Sequence, residues 1–206
     1  MIESNYSTYH HSGEADAPLV IAFHGTGADE TQFVDLIGQM LPQAGIVAPR
    51  GDVSEGGANR YFRRTGEGVY DMADLALRTE RMATFVAEVR AAHSGRPVYG
   101  LGYSNGANIL ASVLFEQPAL FERAALLHPL IPWTPAPQPG LAGKQLFVSA
   151  GIDDPICPLA QTRAFIDWLT AQGADVETEI LAGGHQVSNA EIQALQRFMT
   201  TPLSAD

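Results

Sequence analysis

Six short runs rich in β-branched and aliphatic residues, at 19–23, 45–48, 98–103, 124–128, 145–150 and 176–181, recur along the 206-residue chain with segments of helical spacing between them. Strands separated by helices are too far apart in sequence to close tight hairpins, so they pair through crossovers and lie parallel. The alternation predicts a mostly parallel sheet with helices on both faces. Runs this apolar are expected where both faces of a sheet are covered.

The intervening segments carry their own boundary signals. Between 71 and 92, Met72, Leu75, Met82, Phe85, Val86 and Val89 fall on one stripe while Arg78, Arg81, Glu88 and Arg90 fall largely elsewhere, which predicts a helix packed on the sheet. Asp29 with Gln32, and Ser188 with Glu191, have capping-box spacing and predict helix starts near Glu30 and Asn189. Pro158 suits a first helical turn, Leu159, Thr162, Phe165, Ile166 and Leu169 follow at helical spacing, and Gly173 offers a left-handed stop. Residues 50–69, rich in Gly and Arg, and 129–140, with five of the 13 prolines, fit neither period and are expected to be ordered surface loops. No repeat or linker marks a second domain, so residues 1–206 are expected to form one domain.

Composition narrows the function. A net charge of -11 without a basic cluster argues against nucleic acid and anionic membrane surfaces as partners. No apolar stretch approaches the roughly 20 residues that cross a bilayer, so no membrane insertion is expected. The polar start 1–16 lacks the apolar run of a signal peptide and Cys157 stands alone, which together predict a cytoplasmic protein without disulfides.

One motif carries chemistry. Gly102-Tyr103-Ser104-Asn105-Gly106 follows the strand at 98–103 and precedes a helical stretch from Ala107, the setting of a G-x-S-x-G nucleophile elbow. A serine at so sharp a turn is lifted into the open, and the N–H of Asn105, at the start of the helix, is free to point at an oxyanion. A dinucleotide fingerprint would need its third glycine where Asn105 stands.

Serine needs a base. In chain order Ser, acid, His, only His185, in Gly183-Gly184-His185, lies late enough. Gly151-Ile152-Asp153-Asp154-Pro155 follows a strand between the two and offers two carboxylates. A residue before proline is pushed to extended angles that fix its side chain, which favours Asp154 over Asp153 as the acid and would leave Asp153 a surface turn residue; the rest of the support for Asp154 comes from the resemblance below. The first run leads into His24-Gly25-Thr26-Gly27, where the Thr26 N–H is the expected second oxyanion donor and His24 a structural residue beneath it.

These motifs resemble the phospholipase/carboxylesterase family of the α/β-hydrolase superfamily, which includes acyl-protein thioesterases. The likeness runs through Phe23-His24-Gly25-Thr26-Gly27-Ala28-Asp29-Glu30, the elbow, Gly151 to Pro158 with Asp154-Pro155-Ile156, and Gly183-Gly184-His185. It implies an α/β-hydrolase fold with about seven strands and no large cap domain. It also implies a triad of Ser104, Asp154 and His185, and Thr26 and Asn105 as oxyanion donors. Asn105 stands where acyl-protein thioesterases usually carry glutamine, and the proline-rich loop is short, which argues against a lipid-chain channel.

The expected activity is hydrolysis of a small-molecule ester, on small or aryl groups, without metal or other cofactor. The alternatives are an acyl thioesterase or lysophospholipase acting on longer chains, and an inactive scaffold used for binding. Tyr61, Phe62 and Arg63, with the neighbouring Arg60 and Arg64, and Trp133 are candidate pocket residues, weighed against a solvated basic loop for the first group and plain packing for Trp133. An apolar sheet edge leaves room for a homodimer.

Overall fold

The computed structural model describes residues 6–203. Seven strands, β1 (Thr8–His11), β2 (Leu19–Phe23), β3 (Gly45–Pro49), β4 (Val98–Tyr103), β5 (Arg123–Leu127), β6 (Gln145–Gly151) and β7 (Asp175–Leu181), form one sheet in the order β1-β3-β2-β4-β5-β6-β7. All neighbours pair in parallel except β1, which runs antiparallel along β3. The helices are α1 (Val34–Met40), α2 (Met72–Ala92), α3 (Asn105–Glu116), α4 (Leu159–Ala171) and α5 (Asn189–Thr200).

The two-residue period of a strand splits the apolar runs between two cores. Leu19, Ile21 and Phe23 of β2 join Leu75, Met82 and Val86 of α2, Ile109 and Leu110 of α3, and Phe165 and Leu169 of α4. Val20 and Ala22 face the other way, with Ile37 and Met40 of α1 and Ala194, Leu195 and Phe198 of α5. Each large aliphatic or aromatic side chain so buried contributes roughly 1.5 to 3 kcal/mol. Among the described residues no helix is long and apolar enough to cross a membrane.

Several helix ends match their signals. Ser188 caps α5 in a complete capping box with Glu191, Asp71 caps α2 by accepting from the Asp74 N–H, and Gly173, at φ +83°, follows the end of α4. Pro158 sits at the cap of α4, just before its first turn.

Other expectations are corrected. The helix expected near Glu30 begins at Val34. Asp29 Oδ1 instead accepts from the N–H and hydroxyl of Thr31, and Gln32 Oε1 accepts from the Gly25 N–H at 2.7 Å, so neither side chain is left to cap. Met72, the first residue of α2, is half exposed and so does not share the buried stripe. β1 lies in the polar start, and its Thr-Tyr-His-His sequence gives no apolar signal because an edge strand buries little.

Residues 50–69 are not a surface loop. They build two small hairpins, Val53–Glu55 with Ala58–Arg60 and Arg64–Gly66 with Val69–Tyr70. Tyr61 and Phe62, between them, are buried in the same core as α2 and α3. The Tyr61 hydroxyl donates to the Pro49 carbonyl at 2.7 Å and accepts from the His24 N–H. These aromatic anchors carry the hairpins over the C-terminal end of the sheet without a separate cap.

Candidate active site

β4 delivers Ser104 to the elbow at φ 53° and ψ -118°, a conformation that costs a non-glycine residue of order 1 to 3 kcal/mol. Its N–H donates to the Leu127 carbonyl at 2.9 Å, tying the turn to β5. Close packing demands the two flanking glycines. A Cβ on Gly102 would stand 2.6 Å from the Gly106 carbonyl oxygen, and one on Gly106 would stand 2.1 Å from that of Phe23.

Ser104 Oγ lies 2.9 Å from His185 Nε2, and His185 Nδ1 lies 2.8 Å from Asp154 Oδ2. The loops bearing the last two residues are tied together, since the N–H groups of Ile152 and Asp153 donate to the carbonyls of Leu181 and Gly183. Asp154 Oδ1 accepts from the N–H groups of Ile156 and Cys157, which aims Oδ2 at the imidazole. Burial opposes charge on Asp154, but these N–H donors and the histidines around it hold its pKa below the usual carboxylate value. Asp153 is exposed, as a turn residue should be.

Opposite the elbow, the loop after β2 is held by His24. Its Nε2 accepts from the Gly51 N–H at 2.9 Å, which leaves Nδ1 to donate to the Gly25 carbonyl at 2.7 Å. Burial lowers its pKa, and the neutral ring acts as a strut. Thr26 and Asn105 both line the cavity over Ser104, and among the described residues neither backbone N–H donates to another group. The side-chain oxygen of Asn105 accepts from the Tyr61 N–H at 2.8 Å, fastening the first helical residue to the hairpins.

Comparison with known proteins decides the family. No family model matches the chain. It is 36% identical over 189 residues to MhqD of Bacillus subtilis (strain 168), a protein named as a hydrolase, covering 90% of this chain and 94% of that one. Its fold matches the Bacillus cereus carboxylesterase at a TM-score of 0.90 and 32% identity, over 95% and 94% of the two chains. The chain belongs to the phospholipase/carboxylesterase family of α/β-hydrolases. A further member of known structure, Atu2452 of Agrobacterium tumefaciens str. C58, described as of unknown function, is 49% identical with a TM-score of 0.89 over 97% and 98% of the chains.

This member of the phospholipase/carboxylesterase family is accordingly a hydrolase. Its elbow opens into a cavity of about 260 Å³ whose wall includes Thr26, Arg60, Arg64, Tyr70, Asn108 and Leu130. Of the pocket residues expected from sequence, Arg60 and Arg64 line this cavity and the others lie elsewhere. Tyr61 and Phe62 are core anchors behind the wall, Arg63 is exposed with its N–H on Asp74, and Trp133 packs edge-to-face on Tyr70 beside a separate depression near Trp168. Arg60, in contrast, is nearly buried, so the reading of this stretch as a solvated basic loop is also corrected. Burial lowers its pKa, and its guanidinium faces Thr26 Oγ1 at 2.9 Å and Glu55 at 3.4 Å.

Three residues near the site are not singled out for it by the sequence, which explains Tyr103 and Glu191 by the elbow and the capping box. The Tyr103 hydroxyl donates to the His185 carbonyl at 2.8 Å, and its ring lies against the imidazole at 5.3 Å. His128 and Glu191 stand behind Asp154. Donor atoms of His128, Asp154 and His185 lie within 4.8 Å of one another, a spacing that could suit a metal ion. Here both histidine Nδ1 atoms point at the same carboxylate oxygen at hydrogen-bonding distance, and a protonated nitrogen has no lone pair for a cation.

Proposed function

We propose that the chain is a serine carboxylesterase that hydrolyses small or aryl esters through an acyl-enzyme. The observation that carries this reading is the unbroken row from Ser104 Oγ to His185 Nε2, at 2.9 Å, and from His185 Nδ1 to Asp154 Oδ2, at 2.8 Å, on an elbow with two free N–H groups above it. Ser104 attacks the ester carbonyl while His185 takes its proton, and the N–H groups of Thr26 and Asn105 hold the oxyanion. Collapse of the tetrahedral intermediate expels the alcohol, which receives the proton from His185. Water activated by the same imidazole then attacks the acyl-enzyme and releases the acid, restoring Ser104. Asp154 holds the imidazole in its working tautomer throughout.

The size of the cavity supports a short acyl group. About 260 Å³ is at or below the low end of ligand pockets, roughly 300 to 1,000 Å³. The test is a series of p-nitrophenyl esters from acetate to palmitate beside an acyl thioester, with fluorophosphonate labelling of native and heat-denatured protein. Acetate or butyrate should be preferred, and Ser104→Ala should abolish labelling and cut kcat by roughly 10⁴ to 10⁶. A preference for palmitate or the thioester would replace this reading with that of a thioesterase, and a native protein without label would make it a binding scaffold.

A further inference from the structure

Behind the row formed by Ser104, His185 and Asp154 lies a second histidine. His128 is 0% exposed, and its two ring nitrogens face two carboxylates: Nδ1 stands 2.9 Å from Asp154 Oδ2 and Nε2 stands 2.8 Å from Glu191 Oε1. A neutral imidazole has a single N–H, so it could satisfy only one of them and would set a bare nitrogen lone pair against the other. Without water to intervene, such a contact is costly.

The remaining contacts show which group carries the proton. Asp154 Oδ2 also meets His185 Nδ1, its Oδ1 accepts two backbone N–H groups, and Glu191 Oε2 accepts from the Ser188 N–H at 2.7 Å. Every neighbour of the two acids is a donor or a ring nitrogen able to donate, which suits two ionised carboxylates with an imidazolium between them. Burial opposes that charge, and the hydrogen bonds to Glu191 and Asp154 outweigh it, raising the pKa of His128. The same contacts bring Glu191 down to about 2 despite its burial.

The backbone bends to place the ring there. His128 has φ +49° and, with Ser104, is one of two non-glycine residues with positive φ among those described. The two lie at neighbouring strand ends, where the Ser104 N–H bonds to Leu127. The His128 N–H donates to the Ser149 carbonyl at 3.0 Å, and its carbonyl accepts from Cys157 Sγ at 3.3 Å. Strain of this kind persists only where the surroundings over-determine it.

We propose that His128 is a positioning residue, held as an imidazolium between Glu191 and Asp154, that aims the Asp154 carboxylate and sets the charge presented to His185. The proposal rests on the catalytic reading of Ser104, His185 and Asp154. With His128 charged, the trio of Glu191, His128 and Asp154 presents one net negative charge to the base. Without it, two facing carboxylates would present two. The other titratable groups packed around His128 are Tyr103 from β4, Cys157 from the turn before α4, and His185. Burial raises the pKa of Tyr103 to about 12 and pushes that of Cys157 up as well, so neither adds charge near neutrality.

Two measurements test it on the whole protein. In ¹⁵N-labelled wild type at about pH 7.5, a unit above the ordinary histidine value, His128 should show two protonated ring nitrogens with slowly exchanging protons. A single N–H there would overturn the proposal. In p-nitrophenyl acetate hydrolysis, His128→Gln should lower kcat with little change in KM and move the acid limb of the pH profile up by about one unit, as added negative charge favours the protonated base. Adding Glu191→Gln restores the charge balance, so the double variant should return the limb to within a few tenths of a unit of wild type. A limb that stays put in both variants would mean that the ring only fills space. Should His128→Gln fail to fold, the double variant and the wild-type spectrum still decide. Failure of the catalytic reading registers separately, as absent labelling of Ser104 in a protein whose His128 still shows two N–H signals.

Discussion

Arg60 Nη1 donates to Thr26 Oγ1 at 2.9 Å and so ties the hairpin wall of the cavity to the loop proposed to hold the oxyanion. From sequence, Thr26 offers only its backbone N–H, and truncating its side chain should do little. The tie changes that expectation. Thr26→Ala leaves a nearly buried guanidinium without one of its acceptors, and hydrogen bonds to charged groups are worth roughly 1.5 to 3 kcal/mol. Thr26→Ala is expected to lose about tenfold in kcat/KM on p-nitrophenyl acetate, and Thr26→Ser to keep most of it. Equal rates for Thr26→Ala and wild type would show the contact to be idle.

Gly106 lies where α3 crosses β2. A Cβ there meets backbone on both sides, 2.1 Å from the Phe23 oxygen and 2.5 Å from that of His24, so nothing flexible can yield. Gly106→Ala should therefore cost stability as well as rate, by about 3 kcal/mol or more, since overpacking against rigid backbone exceeds the usual 1 to 3 kcal/mol. Urea unfolding measures it. A Gly106→Ala protein with an unchanged midpoint but no activity would place the constraint in the chemistry alone.

How much of this was legible beforehand follows from where each signal resides. The six parallel strands were readable because central strands covered on both faces become continuous apolar runs. β1 was not, since an edge strand of Thr-Tyr-His-His buries too little to leave a pattern. Ser104, Asp154 and His185 could be singled out because each sits in a local motif whose order along the chain is constrained by the fold. Arg60, Tyr61 and Phe62 misled because Gly and Arg around them look solvated, whereas the two hairpins turn the aromatic pair into the core. The pair Asp29 and Gln32 had the spacing of a cap, but contacts to Thr31 and Gly25 within the same loop took both side chains. His128 and Glu191 stayed hidden for another reason. Each had a complete local explanation, a strand end and a capping box, and their contact joins positions 63 residues apart.

Cys157 lines the cavity without being a reactive thiol. It is 2% exposed, and burial, reinforced by the Asp154 charge, pushes its pKa far above the ordinary 9.0. Since the thiolate is the nucleophile, iodoacetamide at about pH 8 should alkylate the native protein at least about 100-fold more slowly than the unfolded chain. Mass spectrometry over a time course reads the difference. Rapid native alkylation would show that the cavity wall opens around Cys157.

The buried trio should also write a two-sided pH dependence into stability. A group whose pKa is raised on folding stabilises fully below its unfolded value and loses that contribution as pH rises through the folded one, so the share from His128 fades upward from about 6.5. Glu191 and Asp154 are depressed, so their shares are present above the usual 4.5 and 3.8 and are lost as pH falls toward the folded values, about 2 for Glu191. Stabilisation by the trio is therefore fullest between about pH 4.5 and 6.5. Glu191, whose lowered pKa rests on its hydrogen bonds to His128 and Ser188, carries the acid-sensitive share together with Asp154. Urea midpoints from pH 2.5 to 8.5 should fall on both sides of that window. Glu191→Gln should flatten the acid side and His128→Gln the alkaline side, because each removes the group that titrates there. His24, whose pKa burial lowers, pulls the other way over the same range, so the deciding comparison is between variants: a His128→Gln midpoint that changes between pH 5 and 8 just as that of wild type does would mean that His128 binds its proton no more tightly in the folded protein than in the unfolded chain, and the cation between the two carboxylates would have to be abandoned.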